Sequence, residues 1–177
     1  MSGLDLGDSL RFHHMVLGLP LAFLSAAYKG VLFSTTAQPG WKDARWLGAY
    51  LVNSSVTLGA GELLVIAVLM GEQPAVDRLR PAVGLLILLN LVVLALLVAD
   101  IHPLLSRLYD RRTFGVAGLF VLFTLLVIPA GALLAGTVPA TAAITIASLI
   151  LASLGIRYAI VRLPHDATRR VAAAEPQ

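Results

Sequence analysis

The sequence predicts an all-α integral membrane protein, a five-span up-down bundle of transmembrane helices. Three observations lead there. Residues 113–156 make a run of 44 positions without Asp, Glu, Lys or Arg. About 20 apolar helical residues cross the ~30 Å hydrocarbon core of a bilayer, so this run is long enough to cross twice, with Gly136-Thr137-Val138-Pro139 as the turn. Of the 177 residues, 58% are hydrophobic and only 13% charged, whereas soluble domains carry roughly 25% charged residues. Three further apolar runs precede the long one, joined by short connections that force neighbours to run antiparallel.

The first span is expected from about Met15 to Ser34, after an N-terminal segment 1–14. Asp5 and Asp8 stand where a signal peptide would carry Lys or Arg, so this helix is expected to stay in the protein. The second span is expected from Leu47 to Met70, the third from Pro81 to Leu104. Pro81 suits a first helical turn, where its missing N–H costs nothing. The fourth runs from Phe114 to Ala135 and the fifth from Ala140 to Arg162, closing a transmembrane domain 15–163; residues 164–177 read as a flexible tail. Pro20, Pro103 and Pro129 lie in or near spans and predict kinks.

Charge sets orientation. One face receives Arg11, Arg78 and Arg80, the other Lys42, Arg45, Arg107, Arg111, Arg112, Arg162, Arg169 and Arg170. Basic residues accumulate on cytoplasmic loops, which predicts a multi-pass protein with its N-terminus outside and C-terminus inside; a bacterial or archaeal cell membrane is the expected location. The same scattering of basic residues between apolar runs argues against nucleic-acid binding. The chain has no cysteine, so it cannot ligate an iron–sulfur cluster through thiolates. Haem is not expected either, because His13, His14, His102 and His165 offer no pair at matching mid-membrane depth.

Ionisable groups inside the spans are the candidates for chemistry, since a charge in hydrocarbon is costly and tends to be functional. Glu62 lies past the middle of the second span and reads either as hydrogen-bonded to a neighbouring helix or as a proton carrier. Lys29, after Tyr28, either snorkels to the headgroups, pairs with Glu62, or contacts a polar ligand. Asp100 and His102 close the third span as solvated caps or as a proton entry point. Asn53, Thr57 and Gly61, four apart, form a stripe suited to close helix packing.

The segment Leu19-Pro20-Leu21-Ala22-Phe23-Leu24-Ser25-Ala26-Ala27-Tyr28-Lys29-Gly30-Val31-Leu32 resembles a helix of the polysulfide reductase membrane-subunit family, the NrfD-like quinol-handling subunits. Pro39 and Trp41 in the following loop, then Trp46-Leu47-Gly48, Ser54-Ser55 and Leu58-Gly59-Ala60, resemble the family's next loop and helix. The resemblance is clearest over residues 17–62. It implies a haem-free quinone/quinol-interacting anchor that binds menaquinone or ubiquinone and exchanges electrons with an iron–sulfur subunit, itself attached to a molybdoenzyme-type catalytic subunit. It implies a quinone contact at Tyr28, with Lys29 where the family usually has Thr. Glu62, Asp100 and His102 are then inferred proton-transfer residues. Family members typically have eight or more spans, so either a second membrane subunit supplies further helices or this chain keeps the scaffold without the site. Two other readings stay open, a structural or assembly subunit without a quinone site and a small transporter using Glu62 and Lys29.

Overall fold

A computed structural model describes residues 44–174, with side chains through Arg169, and six separate positions between Leu17 and Tyr28. Those six (Leu17, Gly18, Leu21, Leu24, Ser25 and Tyr28) are helical and exposed; the rest of the expected first span, Lys29 included, lies outside the described residues. Every element described is a helix, and four are long and apolar enough to cross a membrane. They are α1 (Leu47–Met70), α2 (Gln73–Leu108), α3 (Arg111–Leu134) and α4 (Pro139–Ala174). Only 22–33% of each span's most apolar window is buried. Leu63, Ile66, Leu85, Val92 and Leu119 instead point outward. Apolar exteriors of this extent belong in lipid, and the protein is a multi-pass membrane protein.

The α1–α2 hairpin is tighter than the sequence predicts. Gly71 adopts φ +72°, and the Gly71 and Glu72 amides return to the carbonyls of Val68 and Ala67 at 3.2 and 3.0 Å. This is a Schellman C-cap, which needs a residue free of the Cβ clash at that φ. Helix α2 then starts at Gln73, with Pro74 in its first turn. The expected start at Pro81 is therefore corrected: Pro81 lies inside the helix, and the connection shrinks to Gly71 and Glu72.

Helix α3 begins two residues beyond Tyr109, where the Asp110 side chain caps Thr113. Residues Phe123–Val127 form a π-helical turn, and the Ile128 amide reaches back to the Phe123 carbonyl. Pro129 has no N–H to give the preceding turn, and the widened turn accommodates that loss. Helix α4 continues past Pro164 to Ala174, so the stretch expected as a tail extends the last helix. Leu163, Pro164 and Ala167 are buried there, which ties the extension to the bundle.

The core is a seam between α1, α2 and α4. The buried residues of α1, Leu47, Tyr50, Ser54, Thr57, Gly61, Leu64 and Ala67, recur every three or four positions, the spacing of left-handed helix packing. Ser54 and Ser153 hydroxyls lie 3.3 Å apart across α1 and α4. A Cβ on Gly61 would come within 3.0 Å of Ile146 Cδ1. Small and hydroxylated side chains let these backbones approach, as the stripe predicted, although Ser54 rather than Asn53 takes the most buried place.

Candidate functional site

Polar groups gather in the half of the bundle next to the arginine-rich end. The up-down order places Arg45, Arg107, Arg111, Arg112, Arg162 and Arg169 at that end, and Arg78 and Arg80 at the other. Toward the opposite end the interior turns apolar, with Leu64, Ala67, Val76 and Val83.

Two features stand out near the arginine-rich end. The first lies between α1 and α4. Arg157 donates through Nη2 to Ser55 Oγ at 3.4 Å, while its buried Nε meets no acceptor among the described residues. Asn53 Nδ2 and the Tyr50 hydroxyl, two and five residues before Ser55 on α1, are also buried without a partner among the described residues. Tyr50 lies near Ser54 and within electrostatic reach of Arg157, but makes no hydrogen bond of acceptable geometry. These donors do not converge: with 3.6 residues per turn, Asn53 and Ser55 lie on nearly opposite sides of α1, and Tyr50 shares a small cavity with Asn90, whose Oδ1 also lacks a partner among the described residues. Buried donors are ordinarily paired, and Arg157 Nε is the one that a bound acceptor could satisfy beside Ser55.

The second feature is a groove of about 580 Å³ walled by α2, α3 and α4. Its length is apolar, from Leu94 and Leu97 to Phe114 and Val121. Its mouth is polar. Tyr109 Oη donates to Asp166 Oδ2 at 2.6 Å, Arg162 Nε lies 3.6 Å from the same carboxylate, and Arg162 Nη1 donates to Tyr158 Oη at 2.8 Å. Burial, then the bond to Asp166, pushes the Tyr109 phenol up to about 12, so the phenol stays a donor at neutral pH.

The residues singled out in sequence do not meet in one place. Tyr28 is helical and 65% exposed, and Lys29 lies outside the described residues. Glu62 is on the outer surface of α1, about 22 Å from Leu47 and about 12 Å from Met70 along the helix. Asp100 sits at the arginine-rich end, 4.0 Å from Arg45, with its second carboxylate oxygen buried and without a partner among the described residues. His102 is exposed, its ring edge-on to Phe114 at 6.2 Å. Asp100 and His102 are thus neighbours in depth, whereas Glu62 is far up the bundle.

Arg157, Tyr109 and Asp166 were missed from sequence. Arg157 was visible as the charge that ends the uncharged run inside the last span. Tyr109 and Asp166 carried no local signal, because their bond joins elements 57 residues apart. Among the described residues, no group of three or more His, Cys, Asp or Glu is placed to hold a metal. Neither a family model nor a curated protein nor a solved structure matches this chain.

Proposed function

We propose that the chain is the quinone/quinol-interacting membrane anchor of a respiratory oxidoreductase complex. It exchanges electrons with an iron–sulfur subunit attached to a molybdoenzyme-type catalytic subunit, and residues 15–34 add a fifth span. The observation that carries this reading is the buried Arg157 Nε, left without an acceptor among the described residues beside Ser55. Menaquinone and ubiquinone are carbonyl acceptors whose reduction builds negative charge on oxygen, and donors aimed at that oxygen stabilise it. The resemblance of residues 17–62 to the NrfD-like subunits assigns the quinone contact to Tyr28. A fifth span antiparallel to α1 and joined by a short loop sets Tyr28, six residues before Ser34, level with about Asn53. Arg157 and Tyr28 would hold the quinone oxygen, with Lys29 beside it. Quinone chemistry needs protons from one face, and Asp100 and His102 stand at the arginine-rich end for that purpose.

Glu62 lies on the outer face of α1, and a carboxylate there favours the second reading to the extent that this face docks another membrane subunit. In that reading the chain is structural and binds no quinone.

The test uses the assembled complex. Arg157→Gln and Tyr28→Phe should each slow quinol-linked turnover about tenfold, roughly the loss of one charge-assisted or one strong hydrogen bond, while subunit composition stays intact. Unchanged kinetics in both variants, with the complex assembled, would reject the quinone site and leave the structural reading.

A further inference from the structure

The groove between α2, α3 and α4 is independent of the Arg157 site, and its shape narrows what can fill it. Along α2 its wall runs from Leu94 to Tyr109, about 22 Å at the helical rise. A long apolar groove of about 580 Å³ suits an extended hydrocarbon chain.

The first half of α3 points the same way. None of the residues Arg111–Leu122 is buried, although Phe114, Val116, Leu119 and Phe120 are large and apolar. Phe120 meets Gly155 of α4 and Phe114 meets His102 of α2, but the side chains between them line the groove or face outward, whereas Leu125, Pro129 and Leu133 further along are packed. An apolar filler would add contacts along that wall.

The mouth then selects the head. Arg162 lies on the groove wall. Arg111 and Arg112 are exposed on the first turn of α3, and Arg169 is exposed two turns beyond Arg162 on α4. The acids nearby are already engaged, Asp166 by Tyr109 and Arg162, and Asp110 by Thr113. Four guanidiniums against two occupied carboxylates make the mouth positive. Basic pockets between transmembrane helices recognise anionic lipid headgroups, while a neutral quinone head has no use for so many cations.

We propose that this groove is a binding site for one anionic phospholipid, with an acyl chain along α2 and its phosphate held by Arg162 and the arginines that open α3. The lipid then acts as a wedge that fixes the first half of α3. This proposal stands apart from the quinone reading and survives its failure.

The experiment is native mass spectrometry of the full chain released from nanodiscs of equal phosphatidylglycerol and phosphatidylcholine. One phosphatidylglycerol should be retained at least tenfold over phosphatidylcholine. Gly118 lines the groove, and a Cβ there meets nothing within 4 Å, so Gly118→Phe should fill the groove and abolish retention without disturbing the helices. Arg162→Gln should keep a bound lipid but erase the preference for the anionic one, which tests the site even if Gly118→Phe folds poorly. Equal retention of both lipids by the unaltered chain would overturn the proposal. So would undiminished retention in a folded Gly118→Phe variant, or an isoprenoid quinone in place of the phospholipid.

Discussion

Tyr109 shows how one side chain fixes the far end of a helix. It follows α2 directly, and its hydroxyl bonds Asp166, two residues past the Pro164 ring that removes one of α4's own bonds. Replacing it by Phe keeps the ring and deletes the donor. We expect Tyr109→Phe to destabilise the protein by about 1 kcal/mol, the typical net value of a hydrogen bond, because water shares the carboxylate. The pH dependence has a definite sign. The folded phenol is raised to about 12, above the unfolded value of about 10, so its contribution is whole below pH ~10 and lost as the pH climbs through 12. Thermal melts in detergent should show the gap between variant and parent constant at neutral pH and closing in strong alkali. A constant gap throughout would assign the effect to packing instead. Local sequence could not reveal this bond. It could reveal that Glu62, Asp100 and His102 are unusual for a membrane span, but not that the fold sets Glu62 apart from the other two.

At the scale of the element, the difference between two glycines of α1 makes the packing argument testable. A side chain on Gly61 runs into Ile146 and Leu149 at 3.0 and 3.6 Å, whereas one on Gly59 meets open space. Gly61→Leu should therefore cost about 1–3 kcal/mol through overpacking, while Gly59→Leu in the isolated chain should be near neutral, as read by thermal melts. A large loss from Gly59→Leu only within the native complex would place a partner helix on that face. The span Leu47–Met70 was legible to the residue because apolar sequence stops where the helix does, at Gly71. The start of α2 and the end of α4 were not. Asp77, Arg78 and Arg80, like His165 and Asp166, read as loop because hydropathy reports the thickness of the bilayer. A helix capped by Gly71 or tied by Tyr109 continues into water regardless. The π turn before Pro129 had only the proline as a clue, and proline alone does not say whether a helix kinks or widens.

For the whole molecule, the open matter is how many times the chain crosses and which end faces the cytoplasm. The four described helices place Ala44 and Ala174 at one end and Gln73 at the other. A fifth crossing by residues 15–34 sends the N-terminus to the Gln73 side; without it, the N-terminus stays beside Ser106. The chain has no cysteine, so single substitutions report cleanly. Ser2→Cys, Gln73→Cys and Ser106→Cys variants, probed in intact cells with a membrane-impermeant maleimide, separate the cases. Gln73 and Ser106 are both exposed at opposite ends. With five spans and the arginine-rich end inside, the Ser2→Cys and Gln73→Cys variants should label in intact cells, and the Ser106→Cys variant only after permeabilisation. Labelling of the Ser2→Cys and Ser106→Cys variants from the same side would remove the fifth span, and with it the approach of Tyr28 to Asn53. Labelling of the Ser106→Cys variant alone from outside would keep five spans and invert the protein. The arginines at the groove mouth would then face away from the anionic inner leaflet, so the lipid site and the topology stand or fall on the same electrostatics.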